Sequence, residues 1–153
     1  MKIEEKIVRK LEKLKYHISF AESMTGGLLA STIVNVSGAS NVLEKSFVTY
    51  SNRAKIEILN VQEETIKKCD VVSCEVAEEM AKGLFEITKS DICVSVTGYA
   101  EGYMEGQGKV CYAIYNNGKM FFKEVMILGN RNMVRKKACT IILNEVYRLI
   151  KGV

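Results

Sequence analysis

Proline and tryptophan are absent from this chain, and histidine occurs once, at His17. Without proline no stretch reads as a proline-rich linker, and no internal repeat or low-complexity segment is visible. The lone histidine argues against Ser-His-Asp or Cys-His catalysis, since either would rest on one residue at the start of a strand-like segment. Five cysteines are present (Cys69, Cys74, Cys93, Cys111, Cys139), with no CxxC or CxxH pair among them. That removes the usual spacing of zinc and dithiol sites. Their odd number and apolar neighbours mark them as reduced core residues, and neither a metal nor another cofactor is expected. No apolar run approaches the roughly 20 residues that cross a bilayer, and Met1-Lys2-Ile3-Glu4-Glu5-Lys6 leads into an amphipathic segment, not a signal-peptide core. A cytoplasmic protein with no membrane partner is expected. The 22 basic and 18 acidic residues, net +4, are scattered and nowhere interleaved with aromatics as in a nucleic-acid groove. A small anionic ligand suits this charge better than DNA or RNA.

What remains is ordinary globular material. With 153 residues, 48% hydrophobic and 26% charged, the chain has length for one well-buried core and not for two ordinary domains, so residues 1–153 are expected to form a single domain. Ile3, Ile7, Val8, Leu11 and Leu14 recur at helical spacing and predict a helix over 3–15. A strand over 17–21 should follow, then a turn at 22–27 and a helix through Leu28, Leu29, Ile33 and Val34. A strand over 46–50 leads to Ser51 and Asn52, either of which could cap the helix carrying Lys55. A short helix is expected over 62–68. Ser73 should cap a longer one that buries Val76, Ala77, Met80, Ala81 and Leu84, and 92–96 reads as a strand covered on both faces. Segments 109–115 and 120–128 flank Asn117-Gly118, a hairpin signal. The last helix should start near Arg131 and bury Val134, Ala138, Ile141, Ile142 and Leu149. This order predicts an α/β fold with a mixed β-sheet between helices, a three-layer αβα sandwich.

The segment Gly38 to Lys55 gathers hydroxyls, a phenol and an amine. With histidine set aside, lysine is the remaining strong base, provided its amine is held neutral. Lowering a lysine pKa from about 10.4 to about 7 disfavours the ammonium by roughly 4 to 5 kcal/mol. If Asn52 is the cap, Lys55 is the third helical residue, where the positive helix end and Arg53 both oppose a cation; the alternative is a solvated surface lysine. Ser40, in a small-residue turn, is either a helix cap or a nucleophile. Tyr50 ends its strand, with its OH placed to reach a site or simply to pack. Ser23, Thr25, Gly26 and Gly27 form a helix start suited to anions, without the spacing of a P-loop or Rossmann fingerprint. Thr97-Gly98 ends a buried strand, where ligands gather in open α/β sheets. Arg131 offers a guanidinium for carboxylate or phosphate.

Taken in order, Ala21-Glu22-Ser23-Met24-Thr25-Gly26-Gly27-Leu28-Leu29-Ala30, Gly38-Ala39-Ser40, Val48-Thr49-Tyr50-Ser51-Asn52-Arg53-Ala54-Lys55, Val72-Ser73, Ser95-Val96-Thr97-Gly98-Tyr99-Ala100, Gly108-Lys109-Val110 and Gly129-Asn130-Arg131 resemble the CinA carboxy-terminal domain family. That family also occurs as a stand-alone nicotinamide-nucleotide amidohydrolase. The resemblance covers nearly the whole chain and implies hydrolysis of the carboxamide of nicotinamide mononucleotide, a small-molecule nucleotide partner, a homo-oligomer and a serine-lysine mechanism without metal. Carried over by residue, it implies Ser40 as nucleophile in preference to Ser23, Lys55 as base, and Tyr50 as their orienting or proton-relaying partner. Ser23, Thr25, Gly26, Gly27, Thr97, Gly98 and Arg131 would then line the substrate site.

The chain departs from the family pattern at Met24, where cysteine is usual, and at Asn130, where aspartate is usual. It departs most after Thr97. There the Gly-x-Ala-Gly-Pro-x-Gly-Gly pattern, leading to a Lys-Pro-Val-Gly stretch, has become a shorter, proline-free segment through Gly108 that gains Glu101 and Glu105. This segment reads as a shortened surface loop, and its carboxylates would oppose an anionic phosphate. A non-catalytic member that binds a nucleotide or a partner protein is therefore the alternative reading.

Overall fold

The amphipathic start forms as its spacing predicts. In the computed structural model, which describes residues 1–153, Ile3–Leu14 is helix α1 and buries Ile7, Val8 and Leu11. Strand β1 (Ile18–Glu22), α2 (Leu28–Val34), a 3₁₀ turn (Ala39–Asn41) and β2 (Leu43–Val48) follow. Three helices come next, α3 (Asn52–Leu59), α4 (Glu63–Cys69) and α5 (Cys74–Thr88), then β3 (Ile92–Met104), β4 (Gln107–Asn116), β5 (Lys119–Leu128) and α6 (Arg131–Ile150).

The five strands lie in the order β2-β1-β3-β4-β5. β1 runs parallel to both β2 and β3, while β4 is antiparallel to β3 and β5, so the sheet is mixed, as expected. Helices α1, α2 and α6 cover one face and α3 to α5 the other, which makes the three-layer α/β sandwich. Alternation along β1 feeds both cores. Ile18 and Phe20 enter the larger cluster with α1 and α6, whereas Ala21 enters the smaller one with α3 and α5, as the two-residue period of a strand requires.

Differences from the sequence reading fall where the hydrophobic pattern is weak. β2 covers 43–48, not 46–50, and most of its residues are exposed, so this edge strand carries little alternation to read. β3 does not end at Val96. Residues 99–107, expected as a surface loop, extend the β3-β4 hairpin, with Tyr99 opposite Lys109 and Met104 opposite Gln107. Ala100 still enters the main core, and from Glu101 outward the β3 side of the ribbon is exposed, so it leaves little apolar signature. At the other hairpin, Asn117 and Gly118 take φ values of 50° and 98°, the paired positive angles a two-residue turn needs. In α6, Ile141 and Leu149 are only partly buried, and Val134, Ala138, Ile142, Leu143 and Val146 form its buried face. All five cysteines are free, with Cys93, Cys111 and Cys139 buried but Cys69 and Cys74 partly exposed. No helix is long and apolar enough to cross a membrane.

Helix α5 crosses α3 at Gly83, where an added Cβ would run into the carbonyl of Leu59. Since α3 also carries Lys55, this close crossing fixes how deeply that lysine reaches into the sheet. Gly83→Ala is expected to cost about 3 kcal/mol and to lower Tm by roughly 10 °C in thermal unfolding. An unchanged Tm would show that the crossing yields freely.

Candidate active site

β1 ends by sending two neighbouring side chains to opposite faces of the sheet. Glu22 turns toward α2. Its carboxylate accepts from the Thr25 hydroxyl at 2.6 Å and from the backbone N–H groups of Leu29 and Ala30 at 3.0 Å each, a placement that suits an anion at a helix start. Ser23 turns toward α3. Between them and α2 the chain makes a turn in which Gly26 and Gly27 take φ values of 62° and 102°. Arg135 of α6 holds that turn from the other side, donating to the carbonyls of Met24 at 2.8 Å and Thr25 at 3.0 Å. The backbone N–H groups of Met24 and Thr25 meet no acceptor in the molecule, although both residues are buried. Buried N–H groups are rarely left free.

Lys55 approaches Ser23 from α3. Ser51, not Asn52, is the cap, accepting from Ala54 N at 3.0 Å, so Lys55 is the fourth helical residue. Its side chain leans back toward the helix start, the direction helical geometry favours, and it is 1% exposed. Nζ lies 2.9 Å from Ser23 Oγ, 2.9 Å from the Thr49 carbonyl and 3.0 Å from the Tyr50 carbonyl. None of these partners is a carboxylate. Burial therefore acts unopposed and lowers the Lys55 pKa from 10.5 to about 8. Arg53, expected to repel Lys55, instead pairs with Glu57 at 2.7 Å on the surface. A neutral amine has two N–H groups and one lone pair. The two carbonyls take the former, which leaves the lone pair facing the Ser23 hydroxyl. Beside them Thr49 Oγ1 is buried without any hydrogen-bond partner.

The assignment of Ser40 as nucleophile does not fit this geometry. Ser40 is exposed in the 3₁₀ turn and precedes β2, whereas Thr49 and Tyr50, which hold the Lys55 amine, follow it. The length of β2, about 20 Å for six residues, separates the two ends. The Gly38-Ala39-Ser40-Asn41 segment docks instead on α1, with Asn41 Nδ2 donating to Glu12 at 3.3 Å. Nor does Ser40 cap a helix, because β2 begins at Leu43. The sequence could not separate the two serines, since both lie in small-residue turns and only the strand direction places one of them beside Lys55.

A cavity of about 220 Å³ opens over this centre, lined by Ser23, Met24, Tyr50, Lys55, Thr97 and Arg131 among others. It lies beyond the carboxyl ends of β1 and β2, where open α/β sheets bind ligands. Thr97 and Gly98 line it as expected. The Thr97 hydroxyl is spent on the Val71 carbonyl at 3.0 Å, and a Cβ at Gly98 would sit 2.8 Å from Met24 Cγ. Tyr50 contributes its carbonyl to Lys55, while its OH accepts from Arg131 at 3.2 Å. Thr25, Gly26 and Gly27 do not line the cavity; they shape the turn that presents Ser23. Glu22, Thr49 and Arg135 join the site without a sequence expectation for them, and Glu101, expected on a loop, lines the cavity. Glu22 precedes Ser23 in the motif and Arg135 follows Arg131 by one helical turn, which were the available signals. No group of three or more His, Cys, Asp or Glu is placed to hold a metal ion.

The family model described as the CinA C-terminal domain matches residues 1–150. The chain belongs to that family. It is 41% identical over 145 residues to a CinA-like protein of Petrotoga mobilis, covering 92% of this chain and 36% of that protein. A CinA-like protein of Kosmotoga olearia is 42% identical over 153 residues, with 97% and 37% covered, so the chain spans little more than a third of these relatives. Among solved structures, a competence or damage-inducible protein of Enterobacter asburiae superposes with a TM-score of 0.92 at 27% identity, covering 97% of this chain and 96% of the other. The competence/damage inducible protein CihA of Agrobacterium tumefaciens gives 0.85 at 32%, covering 96% and 94%.

For this CinA-family chain two measurements check the local electrostatics. An NMR titration of the Lys55 side chain should show a midpoint near 8; an ordinary value near 10.5 would mean that water reaches the amine. Thr49→Val keeps the shape and removes the unpartnered hydroxyl, so chemical denaturation should find it neutral or stabilised by up to about 1 kcal/mol.

Proposed function

We propose that this chain hydrolyses the carboxamide of nicotinamide mononucleotide to nicotinate mononucleotide and ammonia, with Ser23 as nucleophile and Lys55 as general base. The carrying observation is the buried Lys55 amine, 2.9 Å from Ser23 Oγ with its pKa lowered to about 8. At pH 7 about a tenth of such an amine is neutral, against well under a thousandth for an ordinary lysine. A base with a pKa near the working pH is what proton transfer favours.

In the proposed cycle the Ser23 oxygen attacks the amide carbon as its proton moves to Lys55 Nζ. The carbonyl π electrons move onto oxygen, and the unpaired N–H of Met24, which lines the cavity, is the donor assigned to that oxyanion in this reading. Collapse expels the amide nitrogen, which takes the proton from the Lys55 ammonium and leaves as ammonia. Water then attacks the acyl ester, giving its proton to Lys55; Ser23 regains that proton as the carboxylic acid departs and ionises. Tyr50 and Arg131 stand at the cavity mouth as the substrate-orienting pair.

A second reading has one observation in its favour. Glu101 sits 3.2 Å from Arg131 and occupies the guanidinium an anionic substrate would use, as a non-catalytic nucleotide- or partner-binding member could tolerate.

Ammonia release from nicotinamide mononucleotide separates these readings. Lys55→Ala is expected to lose about 10² to 10⁴ in kcat and Ser23→Ala at least as much, while Ser40→Ala stays near the parent. Full activity in Ser23→Ala would overturn the nucleophile, and nucleotide binding without any hydrolysis by the parent would favour the second reading. The active base is the deprotonated form, so kcat/KM should rise about tenfold per pH unit below 8 and level above it.

A further inference from the structure

A second cavity, of about 570 Å³, lies outside the first and is lined by the distal β3-β4 ribbon and by Gly129, Asn130 and Arg131. Two residues, Glu101 and Arg131, line both cavities. They are bonded to each other, Arg131 Nη1 to Glu101 Oε1 at 3.2 Å, while Arg131 Nη2 donates to the Tyr50 OH at 3.2 Å. The partition between the cavities is therefore an ion pair, with both side chains substantially exposed. Exposed pairs of this kind contribute little and break easily.

The inner cavity alone, about 220 Å³, is smaller than the roughly 300 to 1,000 Å³ typical of small-molecule sites. Joined to the outer one it falls within that range. Because Arg131 lines both cavities, a carboxamide at Ser23 with a long substituent has room to extend outward past it. A phosphomonoester there carries close to two negative charges and offers a guanidinium two oxygens at once, so it is the stronger partner for Arg131 than one exposed carboxylate.

Resting on the amidase reading above, we infer that Glu101 is a built-in competitor for Arg131, displaced by the anionic tail of the substrate, and that the two cavities then form one site. Glu101 thereby sets how strongly the protein distinguishes a phosphorylated carboxamide from its unphosphorylated nucleoside. It is a specificity-determining residue that touches the binding group without entering the chemistry. Tyr50 keeps the guanidinium at the boundary during the exchange.

The test is calorimetric binding, which needs no turnover. Nicotinate mononucleotide, nicotinate riboside and inorganic phosphate are titrated into the parent, Glu101→Gln, Arg131→Gln and the double variant. Glu101→Gln should bind the mononucleotide and inorganic phosphate about fivefold more tightly, with the riboside unchanged and the gain shrinking at high salt. Arg131→Gln should bind mononucleotide no better than riboside, and the double variant should show no gain from the Glu101 change. Equal mononucleotide affinity in parent and Glu101→Gln would overturn the inference. So would weaker binding, which would make Glu101 a ligand contact, or an absence of nucleotide binding in all four proteins. Ammonia release by the parent decides the amidase reading separately, so an active parent with unchanged Glu101→Gln binding sinks this inference alone.

Discussion

A buried lysine amine held only by uncharged oxygens is the constraint on which the cavity end of this fold depends. Lys55 Nζ has two carbonyls and one hydroxyl around it and no carboxylate to stabilise its charge. Burial without a counterion is what makes a lysine a base near neutral pH. The arrangement needs β1 and β2 parallel, so that Ser23 and the Thr49-Tyr50 pair emerge at the same end of the sheet. It also needs α3 docked closely enough for its fourth residue to reach them, which the Gly83 crossing allows.

Strand parity protects that constraint. Glu22 and Ser23 are adjacent in sequence, and a carboxylate beside Lys55 would raise the pKa again. Because successive strand residues point to opposite faces, Glu22 is instead engaged by Thr25, Leu29 and Ala30 on the α2 side. The same carboxylate then organises the start of α2, and Arg135 holds the Met24 and Thr25 carbonyls from α6. The turn carrying Ser23 is thus fixed from both layers while its own N–H groups at Met24 and Thr25 stay free. Buried polar groups without a partner are uncommon and call for an explanation, and the Thr49 hydroxyl is another.

Charge at the cavity mouth is managed separately from charge at the base. Arg131, at the start of α6, and Glu101, on the distal β3-β4 ribbon, meet where the two cavities join. Residues 99–107 depart from the family pattern, and the β3-β4 register shifts between Tyr99 and Met104, yet the strands pair again at Met104 and Gln107. The departure changes which side chains line the outer cavity without removing the strands that present them.

Hydrophobic spacing by itself determined the helices, the buried strands and their order, because burial imposes periods of 3.6 and 2 residues on whatever packs against a core. Turn chemistry identified Asn117-Gly118, whose backbone angles few other residues accept, and the resemblance to the CinA family singled out the motifs around Ser23, Lys55 and Arg131. Where burial is slight the signal fades, as in the exposed edge strand β2 and in the polar ribbon past Val96. Tertiary structure alone decided which serine meets the lysine. Ser40 and Ser23 have similar local surroundings, but the direction of β2 sends one to each end of the sheet. The lowered Lys55 pKa was likewise beyond sequence, since it comes from how completely the docked helix and the parallel strand ends exclude water.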